Sequence, residues 1–238
     1  MLKVNQNIES KKKVTISKDT EKFLQECHIN DINSFMDKCS CLHEILVETN
    51  KHINLTRITS EEDFLYKHVL DSLAIARYFP EVATENLDIA DIGCGAGFPS
   101  LILGIAFPQL SITSIDSTGK KINFVQNTAK TLGIEKLNAI HGRANELNRK
   151  GEFLFRFDIV TARAVATAPE LYKSTFNFLR STGRYIFYKT PKQACEDIPE
   201  LTFTKLDWQT TPAFETSNGV GERLFLYAQN KDNIRQKK

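Results

Sequence analysis

The stretch DIADIGCGAGFPS, residues 88–100, decides the fold, because it joins a short apolar strand to a helix through glycines. Gly93, Gly95 and Gly97 stand at every second position of this stretch. Glycine accepts positive φ and leaves room for another molecule beside the backbone. A tight turn without a ligand would use glycine for the same reason. Three alternating glycines followed by an acid, Asp116, favour a ligand site over such a bare turn.

Outward from this loop, strand and helix patterns alternate through most of the chain. Strands are predicted at 87–93, 110–116, 137–144, 157–165, 183–189, 203–211 and 222–230, and helices at 97–107, 119–134 and 168–181. This alternation predicts an α/β fold, Rossmann-like, with a mostly parallel seven-stranded sheet and helices on both faces. The last two strands have no helix between them, so an antiparallel edge is expected.

A small helical region is predicted before the sheet, because apolar residues there recur at three- and four-residue steps. Its helices are expected around Phe23–Cys27, Phe35–Leu46 and Glu61–Phe79, the last begun by Ser60 with Asp63 and ended by Pro80. The predicted organisation is a flexible tail over 1–18, the helical region over 19–82, the sheet domain over 83–230 and a C-terminal tail over 231–238.

Composition excludes several classes of protein. The chain has 238 residues, 41% hydrophobic and 25% charged, with a net charge of +2, which is typical of a globular protein. No apolar run approaches the ~18 residues that cross a bilayer. The five cysteines fit no disulfide framework, and the pair Cys39 and Cys41 lacks the second pair of a zinc site. We therefore expect no metal, no membrane partner, a cytoplasmic location and a monomer, with the paired N-terminal helices as the alternative dimer face.

The glycine spacing also restricts the ligand. The dinucleotide fingerprint G-x-G-x-x-G needs a third glycine where Phe98 stands, and no G-x-x-x-x-G-K-[ST] motif is present. A nucleoside without a phosphate chain, such as S-adenosylmethionine, suits the loop better. Asp91 is placed to bind its amino group, and Asp116, at the end of the second strand, is placed to accept hydrogen bonds from the ribose hydroxyls. Asp116 would equally serve as a cap for the helix that follows.

Seven motifs in fixed order carry a family resemblance. They are NLTRIT, KHVLDSL, DIGCGAGFPSL, DSTGKKINFVQ, HGRANEL, DIVTARAVA and GRYIFYK, within residues 42–226. The chain resembles the bacterial small-subunit ribosomal RNA guanine-N7 methyltransferases, the RsmG or GidB family. This resemblance implies a class I methyltransferase that uses S-adenosylmethionine to methylate N7 of a guanine in 16S rRNA, guanine 527 in the decoding-region loop.

The resemblance also carries over site residues. It implies cofactor contacts at Gly93, Phe98, Ala144, Asn145 and Arg163, which join Gly95, Gly97, Asp91 and Asp116 from the glycine-loop argument. The family commonly has an acid where Asn145 stands, and an amide still donates and accepts hydrogen bonds. No acid–base catalyst is expected, because guanine N7 already presents a lone pair. Arg163 and Lys189 are positioning candidates.

The expected partner is 16S rRNA, either naked or within a small ribosomal subunit. Candidates for holding it are Arg57, His68, Lys189 and Arg223. A core histidine at 68 and solvated strand ends at 189 and 223 are the alternatives. Three rival functions remain open from the sequence: an NAD-dependent oxidoreductase, disfavoured by Phe98, a small-molecule methyltransferase on the same fold, and a non-catalytic RNA-binding assembly module.

Overall fold

The computed structural model describes residues 16–216 and 221–230, which form one seven-stranded sheet with helices on both faces. The strands are β1 (Asp88–Ile92), β2 (Ser111–Asp116), β3 (Leu137–His141), β4 (Phe157–Arg163), β5 (Leu179–Lys189), β6 (Leu206–Thr210) and β7 (Leu224–Asn230). Their order is β3-β2-β1-β4-β5-β7-β6. Strands β1 to β5 pair in parallel, and β7 runs antiparallel to both β5 and β6. The predicted fold class and antiparallel edge are confirmed.

Ten α-helices surround this sheet in the described residues. They are α1 (Lys18–Glu26), α2 (Ile32–Asn50), α3 (Glu61–Phe64), α4 (Asp71–Tyr78), α5 (Glu81–Thr84), α6 (Ser100–Ala106), α7 (Gly119–Thr131), α8 (Ala144–Leu147), α9 (Ala168–Thr175) and α10 (Pro191–Glu200). A π-helical segment, Leu65–Leu70, joins α3 to α4. The Ser60 hydroxyl accepts a hydrogen bond from the Asp63 backbone N–H at 3.2 Å, as its predicted cap position requires.

The structure corrects the prediction around the fifth strand. Helix α9 ends at Thr175, and β5 begins at Leu179 instead of Gly183. Phe157 pairs with Leu179 but Ile159 pairs with Arg184, so residues 180–183 form an irregular stretch opposite the start of β4. A Cβ built on Gly183 would lie 2.8 Å from a backbone oxygen of β4, which explains why glycine stands inside a strand.

Helix α10 was not predicted, although the sequence carries its start signal. Thr190 accepts a hydrogen bond from the Gln193 N–H, the Gln193 side chain accepts one from the Thr190 N–H, and Pro191 occupies the first turn. This reciprocal capping box with proline at the helix start is a recognised signature of a helix N-terminus.

Two apolar cores cover the two faces of the sheet. One contains Leu42, Leu73, Leu101 and Val125, so the N-terminal helices share a core with α6, α7 and the sheet. The other contains Leu171 of α9 and Leu201, the residue after α10, together with Val160 of β4 and Phe187 of β5. The boundary between 82 and 83 stays a prediction. Residues 1–15 of the predicted tail over 1–18, and the predicted tail over 231–238, lie outside the described residues, whereas Lys18 already belongs to α1. No helix within the described ranges is both long and apolar enough to cross a bilayer.

Candidate active site

The glycine loop lies between β1 and α6, at the carboxyl edge of the parallel strands, where ligands bind in open α/β sheets. Gly93, Gly95 and Gly97 have φ values of 65°, 57° and 87°. A Cβ built on Gly97 would lie 2.5 Å from Leu101 Cδ1, and one on Gly93 would lie 2.5 Å from Val165 Cγ2. A Cβ on Gly95 meets nothing nearer than 3.9 Å. Gly97 therefore serves packing against α6, whereas Gly95 leaves open space beside the backbone.

The backbone N–H groups of this loop are largely used inside the protein. Gly93 and Cys94 donate to the Ile115 carbonyl at 2.7 and 3.1 Å. Gly95 donates to the Asp116 carboxylate at 3.0 Å. Gly97 and Phe98 donate to the Cys94 carbonyl at 2.8 and 3.1 Å. A pyrophosphate binds to a glycine loop through such N–H groups. In this conformation the loop does not offer them, so its geometry suits a ligand without a phosphate chain.

A cavity of about 1000 Å³ opens above the loop. Eight of the residues selected from the sequence line it: Gly93, Gly95, Phe98, Asp116, Ala144, Asn145, Arg163 and His68. Gly97, Asp91, Arg57, Lys189 and Arg223 lie outside its lining. Sequence reasoning missed several polar or charged residues of the wall, namely Thr56, Ser117, Lys121, Arg143, Glu170 and Lys173. The structure thus brings most of the predicted cofactor site together and separates it from most of the predicted RNA contacts.

Asp116 stands at the end of β2, buried to 9% exposure at the cavity wall. One of its carboxylate oxygens accepts from Gly95 N–H at 3.0 Å and the other from Thr118 N–H at 2.8 Å. Each carboxylate oxygen has a second lone pair, so capacity to accept hydroxyl hydrogen bonds remains. The carboxylate supports the start of α7 and faces the cavity at the same time.

Asp91 is placed differently from the prediction. Its side chain is 1% exposed, and one carboxylate oxygen accepts hydrogen bonds from both the backbone N–H and the hydroxyl of Ser100. Its other oxygen is buried and has no hydrogen-bond partner in the described residues. Burial raises the pKa of Asp91 to about 6, against the lowering effect of Ser100. Asp91 therefore holds α6 beneath the loop, and direct contact with a ligand would need another loop conformation.

Arg163 reaches the cavity from the end of β4, and its guanidinium is bound by the N-terminal helical region. One nitrogen donates to the Lys67 carbonyl at 2.9 Å and to an Asp71 carboxylate oxygen at 2.8 Å. The other lies 3.0 Å from His68 Nδ1. Asp71 was missed by sequence reasoning, although it stands three residues after His68 in one continuous helical stretch, a spacing that places two side chains on one face.

His68 lies in the core, 6% exposed, which is the alternative the sequence left open. Because Arg163 has only donors, Nδ1 of His68 accepts, and this assigns the proton to Nε2, 3.4 Å from the Thr56 hydroxyl. Burial, aided by the Arg163 charge, lowers the pKa of His68 to about 3. His68 is therefore neutral at pH 7, and its predicted role as a cationic RNA contact is wrong.

The structure also corrects Lys189. Its ammonium group is 2.8 Å from an Asp197 carboxylate oxygen and donates to the Ala166 carbonyl at 2.8 Å, and both charged side chains are 6% exposed. The same Asp197 oxygen accepts from the Ala168 N–H at 3.0 Å. This buried pair fixes the segment after β4, and a lysine so enclosed cannot reach a phosphate in solvent.

The other two RNA candidates differ from each other. Arg223 lies 3.6 Å from Asp71, and its guanidinium also donates to the Glu222 carbonyl. Arg223 is partly exposed and lies outside the cavity lining. It pairs with Asp71, whose carboxylate also binds Arg163. Arg57 is exposed on the connector before α3, which leaves its predicted contact with RNA as a proposal.

Comparison with known proteins gives one consistent family. The profile described as "GidB: rRNA small subunit methyltransferase G" matches residues 36–217. A ribosomal RNA small subunit methyltransferase G from Leuconostoc mesenteroides is 42% identical over 147 residues, 62% of this chain and 62% of that protein. One from Streptococcus equi subsp. zooepidemicus is 40% identical over 198 residues, 79% of this chain and 81% of that protein. The match therefore covers less than two thirds of the Leuconostoc relative.

Solved structures with similar folds have low sequence identity. A SAM dependent methyltransferase from Aquifex aeolicus has a TM-score of 0.54 at 12% identity, covering 74% of this chain and 96% of that one. A predicted O-methyltransferase from Agrobacterium tumefaciens has a TM-score of 0.51 at 15% identity, covering 60% and 74%. These similarities support the Rossmann-like methyltransferase fold. They do not indicate the substrate, because one fold serves many substrates.

Proposed function

Because this chain belongs to the rRNA small subunit methyltransferase G family, we propose that it transfers a methyl group from S-adenosylmethionine to N7 of a guanine in 16S rRNA, guanine 527 by the family resemblance. The observation that carries the proposal is the cavity of about 1000 Å³ above the glycine loop. Its position at the carboxyl edge of β1, β2 and β4 is the position at which this class of sheet binds ligands.

The cavity wall fits the chemistry of this donor. Gly95 leaves its backbone uncovered, since a methyl group added there would meet nothing nearer than 3.9 Å. Asp116 offers carboxylate lone pairs where ribose hydroxyls would lie, and Ala144 and Asn145 form the wall beyond β3. The internal use of the loop N–H groups argues against a pyrophosphate-bearing ligand. These features favour a nucleoside sulfonium over a dinucleotide.

The proposed reaction requires no proton to be removed from the acceptor. S-adenosylmethionine supplies, when bound, a methyl group on a positively charged sulfur. Guanine N7 has a lone pair available in the neutral nucleobase, so the reaction requires no general base. The only histidine of the cavity wall in the described residues, His68, is engaged with Arg163 through Nδ1 and has a pKa of about 3. It is therefore better suited to structure than to proton transfer.

The chain's own contribution under this proposal is positioning. Arg163 is held by Lys67, Asp71 and His68, so its guanidinium has a fixed place in the cavity wall. A guanidinium held in this way has N–H donors left over, and these would orient polar groups of the donor or the base. Correct alignment of two reactants is worth up to ~7–11 kcal/mol of a barrier. We therefore place Arg163 among the positioning residues.

The test uses methyl-labelled S-adenosylmethionine with small ribosomal subunits and naked 16S rRNA from cells that lack this gene. We expect label in one guanine, at N7, mapped by base-specific cleavage. Label at another atom or nucleotide would refute the N7 assignment. Transfer only to small acceptors would favour the small-molecule methyltransferase, and donor binding without transfer would favour the non-catalytic assembly module.

A matched pair of variants tests the donor site itself. Asp116→Asn removes a charge at the cavity wall, and Asp37→Asn removes one from an exposed position on α2. Hydrogen bonds to a charged group contribute about 1.5–3 kcal/mol. Donor affinity should fall about tenfold or more in Asp116→Asn and stay unchanged in Asp37→Asn. Equal affinities would remove Asp116 from the proposed donor site.

A further inference from the structure

Two exposed phenylalanines lie at the edge of the sheet opposite the cavity. Phe155 stands two residues before β4 and Phe176 three residues before β5, and these strands run in parallel, so both residues stand at the amino edge. Phe155 is 62% exposed and Phe176 51% exposed, with Leu154 next to Phe155 in sequence at 37%. Exposed apolar side chains that lie close together on a protein surface often mark an interaction site.

The backbone beneath these side chains is well ordered by hydrogen bonds. Phe155 N–H donates to the Asn177 carbonyl at 2.6 Å. Asn177 donates from its backbone to Asn148 Oδ1 at 2.9 Å and from its side chain to the Asn148 carbonyl at 3.2 Å. The segments 148–156 and 176–178 are therefore tied together, and they present their aromatic rings on a fixed platform.

Phe155 has a backbone conformation that stability does not explain. Its φ is 52°, in the left-handed region, where the Cβ of a residue other than glycine comes too close to the following carbonyl oxygen. Glycine or asparagine would adopt this turn more easily. The chain instead has a large apolar side chain at this strained backbone position, and that side chain is exposed. Backbone outliers concentrate at functional sites, which indicates a function for the Phe155 ring.

Basic side chains accompany the rings. Arg149, Lys150 and Arg156 are exposed in the same segment, against one exposed acid, Glu152. The Arg156 guanidinium lies 5.3 Å from the centre of the buried Phe157 ring and remains accessible. We define the amino-edge surface as Arg149, Lys150, Leu154, Phe155, Arg156 and Phe176. Aromatic faces with interleaved positive charge are the chemistry that single-stranded nucleic acid recognises, through base stacking and phosphate pairing.

We propose that the amino-edge surface binds unpaired nucleotides of the RNA substrate, as a second contact remote from the methyl-transfer cavity. This inference rests on the proposed function only in taking RNA as the substrate. Bases stack on Phe155 and Phe176, and phosphates pair with Arg149, Lys150 and Arg156. The seven residues of β4 separate the two places by about 20 Å at the usual rise of a strand. The RNA bound here is therefore a different segment from the one that carries the acceptor base.

Phe155→Gly separates binding from folding, because glycine relieves the backbone strain while it removes the ring. The urea midpoint of unfolding should stay close to that of the wild type. Affinity for small ribosomal subunits or 16S rRNA should fall about fivefold or more, as loss of one stacked base implies. The KM for RNA should rise. The kcat at saturating RNA and the donor affinity should both stay unchanged. Arg149→Gln with Lys150→Gln should make the salt dependence of binding less steep.

The matched control is Phe203→Ser, which removes a phenylalanine that is 53% exposed elsewhere on the protein. RNA affinity of this variant should equal that of the wild type. If Phe155→Gly also binds RNA like the wild type while the wild type methylates it, the inference is refuted and the proposed function stands. If the wild type neither binds nor methylates RNA, the proposed function fails. If Phe155→Gly binds naked RNA normally but loses self-association or binding to ribosomal proteins, the surface belongs to a protein partner and the inference is overturned.

Discussion

The imidazole of His68 lies flat on the ring of Phe98, with ring centroids 4.0 Å apart and planes inclined by 5°. Phe98 belongs to the glycine loop, whereas His68 belongs to the π-helical segment of the N-terminal region. Phe64 packs edge-on against both rings at 6.0 Å. With Nδ1 of His68 accepting from Arg163, this stack joins the N-terminal helices to the loop and completes one wall of the cavity.

Protonation of His68 is expected to destabilise this wall. The pKa of His68 is about 3 in the folded protein against 6.5 in an unfolded chain. Its contribution to stability is therefore complete above pH 6.5 and decreases as the pH falls toward 3, by about 1.4 kcal/mol per pH unit. Urea unfolding of the wild type and His68→Asn over this range should show a difference that shrinks as the pH is lowered. A pH-independent difference would mean that the pKa of His68 is not lowered.

Asp91 should show the opposite pH dependence. Burial raises its pKa from 3.8 to about 6, so the contribution to stability is complete below pH 3.8 and is lost as the pH rises through 6. The variant Asp91→Asn does not titrate and should gain free energy of unfolding relative to the wild type between pH 4 and pH 6. Above that range the gain should level off. Unfolding curves at four or five pH values check this, and a constant difference would contradict it.

Gly95→Ala and Gly97→Ala should differ in severity. Both positions have positive φ, which costs an alanine roughly 1–2 kcal/mol. The added methyl group at 97 would also lie 2.5 Å from Leu101, and overpacking adds about 1–3 kcal/mol. We expect the larger loss of stability at 97 and, in the folded protein, the larger loss of donor affinity at 95. Denaturation combined with calorimetric titration of S-adenosylhomocysteine measures both, and equal effects at the two positions would refute the distinction.

The Lys189–Asp197 pair should behave as a structural element. Lys189→Met leaves a buried carboxylate without its cation, which typically costs about 3–5 kcal/mol. Lys189→Met combined with Asp197→Leu removes both charges and should recover most of this loss. The salt dependence of RNA binding by the folded variants should match that of the wild type. A less steep dependence at unchanged stability would instead return Lys189 to the RNA interface.

The sequence by itself determined the sheet, the loop and the family. The alternation of apolar strands with helices and the positive φ demanded at Gly93, Gly95 and Gly97 are local properties, so they can be recognised along the chain. The end of α7 at Thr131, two residues before Gly133, follows from the same local rule. Family motifs added predicted cofactor contacts, and the cavity wall includes those residues, namely Gly93, Phe98, Ala144, Asn145 and Arg163.

Only the tertiary structure decided which charged groups are available for binding. Arg163 meets Asp71 across 92 residues of sequence, and Lys189 is enclosed by Asp197 of a helix that the sequence patterns did not predict. Burial and pairing depend on what the rest of the chain packs against a side chain, so no local pattern reveals them. For that reason Asp91 and Lys189 looked like ligand contacts in the sequence and are internal supports in the fold, whereas the exposed rings of Phe155 and Phe176 became visible only once the strands were assembled.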